Sequence, residues 1–339
     1  MNTQKIILAG GSGFLGRVLA GHFTRRGCDV VILTRNPRPT SGEGRIRQVG
    51  WNGCTAGPWT VELEAAAAVI NLAGRSVNCR YHARNRRQMM DSRVNSTRVL
   101  GDAIERCHQP PRVWLNSSTA TIYKHSLDRP MDEAGEIGAT PEAKDAFSIE
   151  VARAWERSFN EASTPRTRKV TLRSAMVLGE GRNSVFPTLR RLARLGLGGA
   201  MAGGRQYVSW IHENDFCRAI DWLLARDDFS GVVNLAAPNP VPNREMMRLI
   251  RRVCGLPFGL PAAPWMLELG AFVLRTETEL IIKSRRVVPG RLLATGFQFQ
   301  YPKLEDAVRE IECRLKQRAR PGRERRDVDA SECANSLHG

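Results

Sequence analysis

Three glycines at three-residue spacing, Gly10, Gly13 and Gly16 in "GGSGFLG", break a hydrophobic run and open a helix-like stretch. A strand, such a loop and a helix in succession set backbone N–H groups and a helix N-terminus against a pyrophosphate. Gly10 would permit the tight turn, Gly13 the approach of backbone to phosphate, and Gly16 close packing of helix on strand. A purely structural turn is the alternative. The strand before and the amphipathic helix after favour the dinucleotide loop. The next strand-like run ends in "ILTRNPRP". An acidic residue there would bind the ribose 2′-hydroxyl of NAD. Thr34 and Arg35 stand there instead, and the next carboxylate is Glu43. A guanidinium can pair with a 2′-phosphate and stack on adenine, so the expected cofactor is NADP(H). A solvated loop arginine is the alternative use of Arg35.

The elements that must position these residues alternate. Strand-like runs at 5–10, 29–34, 68–73, 112–118 and 169–179 are separated by helix-like stretches. Alternation of this kind predicts βαβ units and a doubly wound, Rossmann-type parallel sheet, an α/β fold buried on both faces. Leu15, Leu19 and Phe23 mark the inner face of the first helix, which Gly27 stops. A second helix is expected over about 85–107, with Arg93 at the edge of its apolar stripe. After residue 180 the pattern changes. A helix from Val185, a Gly-rich loop, a strand "QYVSWIH", a helix that Asp215 could cap, a strand "GVVNLAA" and a helix from Asn243 follow. "GFQFQYP" (296–302) alternates as a strand should. The division expected is 1–180 for the dinucleotide domain, 181–254 for a substrate-side α/β region interleaved with it, 255–313 for a C-terminal domain, and 314–339 for a basic, disordered tail.

Composition narrows the function classes. The net charge is +17, carried mainly by arginine, with surpluses at 75–93 and 314–326. A basic surface attracts anions, but no aromatics are interleaved with these residues and no zinc-finger spacing occurs, so a nucleic-acid partner is not expected. No stretch of about eighteen apolar residues is present, and no membrane association is expected. Eight cysteines lie scattered without a CxxC pair, and no His/Cys/Asp cluster has metal-ligand spacing. These features suit a cytoplasmic protein with reduced thiols, no bound metal and a small-molecule substrate; a homodimer is left open.

The chain resembles an atypical extended short-chain dehydrogenase/reductase of the epimerase/dehydratase branch, with a family-specific C-terminal domain. The resemblance rests on "GGSGFLG" (10–16), "AVINLAG" (68–74), "DSRVNSTRVL" (91–100), "LRSAMVLG" (172–179), "LGLGGAMAGGRQYVSWIHENDF" (195–216), "NLAAPNPVPNREMMRLI" (234–250) and "RRVVPGRLLATGFQFQYP" (285–302). It implies that Ser12, Gly13, Phe14 and Leu15 hold the pyrophosphate, and Thr34 and Arg35 the 2′-phosphate end. Leu72, Ala73 and Gly74 would line the adenine ribose side, Arg93 would face the cofactor, and Leu178 would meet the nicotinamide amide.

Reductases of this class use a tyrosine whose pKa is lowered by a lysine four residues later. The tyrosines here are 81, 123, 207 and 301, followed at that spacing by Asn85, Leu127, Ile211 and Glu305. No YxxxK exists; the two slots fall on Phe147 and Val151 in "AFSIEVARAWE". "NSSTATIYK" (116–124) resembles the epimerase serine/threonine element and puts Thr119 on the substrate-orienting position, although a strand-end hydroxyl bonded to backbone is the alternative. Tyr123, Tyr81 or water would then supply the proton, Tyr123 being equally a packed aromatic. His212 matches a structural hinge of the relatives. Val208 stands where nucleotide-sugar epimerases carry an arginine that grips the substrate diphosphate. The expected function is an NADP(H)-dependent oxidoreductase or epimerase-like enzyme for a small substrate that the basic charge allows to be anionic. The alternative is a catalytically degenerate NADPH-binding regulator or redox sensor.

Overall fold

The computed structural model describes residues 3–38, 44–181, 183–262 and 277–318. Seven parallel strands form the central sheet in the order β10-β6-β5-β4-β1-β2-β3. They are β1 (Lys5–Ala9), β2 (Asp29–Thr34), β3 (Ile46–Gly50), β4 (Ala68–Asn71), β5 (Val113–Thr119), β6 (Arg168–Ser174) and β10 (Gly231–Leu235). Alternate side chains of β1 enter different cores: Ile6 and Leu8 one, Ile7 and Ala9 the other. Near-continuous apolar runs are what a sheet covered on both faces requires. On one face lie α1 (Phe14–Arg25) and α5 (Glu213–Ala225), with Leu19, Phe23, Phe216 and Ile220 packed on the sheet. On the other lie α2 (Ala83–Glu105) and α3 (Ala146–Glu161), through Leu100, Ile104 and Phe159. The strand order reverses between β1 and β4, so the loops leaving their carboxyl ends diverge and leave a crevice.

A third core joins α4 (Val185–Leu192), α6 (Asn243–Val253) and the C-terminal helix Leu304–Arg318 around Phe186, Trp210, Met247 and Ile311. Four expectations are corrected here. The run 206–212 is two short strands, β8 (Tyr207–Val208) against β11 (Val241–Pro242) and β9 (Trp210–His212) beside β7 (Met176–Leu178). The alternating "GFQFQYP" forms no strand; Phe297 and Phe299 pack on the sheet's helical layer, while the amides of Gln300 and Tyr301 donate to Asp215 at 2.8 Å each. Asp215 is thereby occupied, and His212 caps α5, its Nδ1 accepting from the Asn214 amide. Residues 314–318, expected to begin a disordered tail, are helical, and the rest of that expected tail, 319–339, lies outside the described residues.

Candidate functional site

The loop after β1 is built as the glycines require. Gly10 has φ +71°, a left-handed conformation, and a Cβ on it would lie 2.7 Å from the Ala73 Cα. A Cβ on Gly16 would lie 2.1 Å from the Gly11 carbonyl oxygen, so this glycine packs the helix on the loop itself rather than on the strand. Gly13 differs: it caps α1 in an extended conformation, and a Cβ there would meet only the Gly10 oxygen, at 3.9 Å. The mouth of α1 is open, and no acidic side chain occupies its first turn. Ser12 is exposed with its carbonyl taken by Arg17, Leu15 packs partly into the core, and Phe14 seals against Gly179 and Gly181, where any Cβ would strike its ring.

Parallel strands deliver the remaining residues to the same carboxyl edge. Thr34 is buried at the end of β2 and Arg35 is exposed just beyond it. At the end of β4, the Asn71 carboxamide donates to Asn116 Oδ1 at 2.7 Å and accepts from the Ala73 amide at 3.0 Å, fixing Leu72–Gly74. Arg93 crosses beneath Gly74, with a Gly74 Cβ falling 3.2 Å from its guanidinium carbon. It donates to the Met89 carbonyl and lies 5.0 Å over the Trp155 ring. Among the described residues no carboxylate pairs with it, and burial pulls its pKa down to about 10. Leu178 is buried at the end of β7, next to the Gly179–Gly181 turn that Phe14 closes. Loops after β1, β4 and β7 thus meet around one crevice, with Arg35 and Thr119 at its two ends.

A dinucleotide fits this edge. The cradle at Gly13 is open, the donors around it are backbone amides, and the cations at its margins, Arg35 and Arg93, have no carboxylate partner among the described residues. Residues 6–236 match the model of the NAD dependent epimerase/dehydratase family, and residues 262–311 match a domain of unknown function (DUF1731). The chain belongs to the NAD dependent epimerase/dehydratase family. It is 32% identical to the Bacillus subtilis epimerase family protein YfhF over 91% of this chain and 98% of that one. It is 30% identical to human epimerase family protein SDR39U1, covering 91% and 99% of the two chains. The crystal structure of human SDR39U1 (isoform 2) with NADPH superposes with a TM-score of 0.79 at 26% identity, over 91% of this chain and 99% of that chain.

On the catalytic side the expected tyrosine and lysine slots lie on α3. Phe147 and Val151 of α3 carry neither a hydroxyl nor an amine. Thr119 ends β5 with its hydroxyl oxygen accepting from the Thr121 amide at 3.1 Å, so the strand-end bond to backbone is present while its O–H proton stays available to donate. Tyr123, expected as a proton donor, is corrected: it is 1% exposed, packs against Ile122, Met131 and Val287, and donates to Asn234 Oδ1 at 2.8 Å. Arg173 donates to its oxygen at 2.9 Å while pairing with Glu156, so the phenol is locked inside the fold. His212 is also structural. Its Nδ1 accepts, which leaves Nε2–H to donate to Glu310 at 2.9 Å.

Sequence reasoning missed a charged cluster that the C-terminal region inserts here. Lys283 is fully buried, paired with Asp145 at the start of α3 and donating to the Thr121 carbonyl. Arg285 Nε donates to Thr121 Oγ1 at 3.0 Å, and Ser148 donates to Glu279. The only local signal was Glu279 and Lys283 at i, i+4 spacing in a run that otherwise looks like basic surface.

Proposed function

We propose that the protein is an NADP(H)-dependent oxidoreductase or epimerase-like enzyme of the short-chain dehydrogenase/reductase type, acting on a small substrate that the basic charge allows to be anionic. The observation that carries this reading is the open mouth of α1 at Gly13 on the same strand edge as an exposed, carboxylate-free Arg35. In it, the loop Gly10, Ser12, Gly13, Phe14, Leu15 and Gly16 holds the diphosphate, and Thr34 and Arg35 hold a 2′-phosphate. Leu72, Ala73, Gly74, Arg93 and Leu178 line the rest of the dinucleotide. A bound nicotinamide supplies or takes a hydride. Thr119 orients the substrate oxygen through its free O–H, since its lone pair is engaged by the Thr121 amide. NADPH in the structure of the human relative supports the choice of cofactor.

The reading also divides the chain at 1–180, 181–254 and 255–313 and sets it in the cytoplasm; among the described residues no helix is long and apolar enough to cross a membrane. Calorimetric titration with NADPH and NADH tests the assignment. Tighter binding of NADPH is expected, and equal affinities would overturn the role of Arg35. The locked Tyr123 and the Phe147/Val151 pair favour a second reading, a regulator that holds NADPH without turnover. Bound NADPH that no compound in a broad carbonyl panel oxidises would favour the regulator.

A further inference from the structure

Phe147 stands where this fold expects a phenol, and a different phenol lies against it. The rings of Tyr81 and Phe147 meet edge-on with centroids 5.4 Å apart. Both line a cavity of about 500 Å³ between the loop after β4, the start of α3 and residues 277–279. Three of the four tyrosines are otherwise engaged: Tyr123 is locked in the core, Tyr207 lies beneath the Arg286 guanidinium, and Tyr301 packs on His212 at 4.1 Å. The Tyr81 hydroxyl is buried without a close hydrogen-bond partner among the described residues, with the Ser148 hydroxyl beside it. Leaving such a group poorly satisfied is costly, which calls for a ligand or a chemical role.

We propose that Tyr81 is the proton donor of this enzyme, its phenol reaching from the loop after β4 the place left empty by Phe147. The assignment rests on the functional reading above. Charges of both signs surround it. Arg93 of α2 and Arg285 of the C-terminal segment replace the absent lysine as the cations that stabilise a phenolate, opposed by Glu279 and Cys79. Glu277 accepts from the Tyr81 amide, and Arg86 donates to its carbonyl, so the backbone is held from both sides. In the reductive direction a carbonyl carbon gains the hydride of a reduced nicotinamide. The Tyr81 O–H bond breaks, an O–H bond forms on the product alcohol, and phenolate remains. The phenolate regains its proton from solvent in the cavity that Tyr81 lines. In the resting protein burial, then Glu279, hold the Tyr81 pKa above the ordinary phenol value.

The test reads the phenol directly. Protein labelled with 13C at tyrosine Cζ gives four resonances, assigned by single Tyr→Phe variants; the other three variants assign Tyr81 by elimination should Tyr81→Phe not fold. Binding of NADP⁺ is measured separately by calorimetry. The positive nicotinamide ring should shift the Tyr81 resonance and bring its titration at least one pH unit lower than in the NADPH complex, with the other three unmoved. Binding heat with an unmoved Tyr81 resonance overturns this assignment alone. No binding heat overturns the functional reading as well. In a carbonyl assay Tyr81→Phe should lower kcat about 10²-fold or more at unchanged NADPH affinity, and an unchanged kcat would sink the proposal.

Discussion

Arg35 and Gly13 act through what is missing around them. Among the described residues no acidic side chain competes for the Arg35 guanidinium, so its charge is available to a phosphate. A charge-assisted bond to an ionised group contributes about 1.5–3 kcal/mol. Arg35→Ala should therefore weaken NADPH binding about 10- to 100-fold and leave NADH binding unchanged, as calorimetry would read. Glu310 shows the converse, a residue defined by its partners. Burial alone would raise its pKa, but the His212 hydrogen bond and Arg314 outweigh it and hold the carboxyl below its ordinary value. A depressed folded pKa contributes stability that is complete above the unfolded value of about 4.3 and lost as pH falls through the folded one. Glu310→Gln should flatten that acid limb in a series of thermal midpoints from pH 7 to 3.

At the scale of elements, the β1–α1 turn separates folding from binding. Gly10 needs its left-handed backbone and has Ala73 against it, so Gly10→Ala should cost about 2 kcal/mol or more, read as a lower denaturation midpoint. Gly13 needs neither. Gly13→Ala should leave stability within about 0.5 kcal/mol while reducing NADPH affinity at least tenfold, because the added methyl enters the cradle. Much of this was legible in the residues. Four of the five strand-like runs are strands of the sheet because doubly covered strands need unbroken apolar sequence; the fifth, 169–179, gives β6 and then breaks into β7 of a separate pair with β9. Where burial is one-sided, legibility failed. β3, "IRQVG", sits on the sheet edge with no fully buried residue and carries no such run. "GFQFQYP" has the period of a strand but meets a carboxylate instead of a neighbouring strand. Lys283 and Arg285 look like surface because nothing within a few residues of them encodes the helix start that encloses them.

At the scale of the whole molecule, the distant end of the chain returns to the first loop. Arg314 of the C-terminal helix reaches Glu213 at 2.6 Å, Glu310 at 2.7 Å and Glu180 at 3.5 Å. Glu213 in turn presses on Gly179, which Phe14 also covers. Arg314→Ala would remove the cation shared by three largely buried carboxylates, leaving Glu180 to Arg318, Glu310 to His212 and Glu213 without it. A loss of about 2–3 kcal/mol is expected, between exposed and fully buried pairs, with a thermal midpoint several degrees lower. Arg314→Lys should recover only part of it, since a point charge cannot serve three acceptors from one plane.

Protein synthesis proceeds from the glycine turn toward Arg314, so the ribosome delivers the floor of the nucleotide crevice long before its brace. A nascent chain can pair β1, β2 and β4 early, yet Glu180 and Glu213 stay mutually repelling neighbours until the last helix emerges. The bracing contacts of Arg314 therefore form only after its helix has emerged, well after the glycine turn has been made.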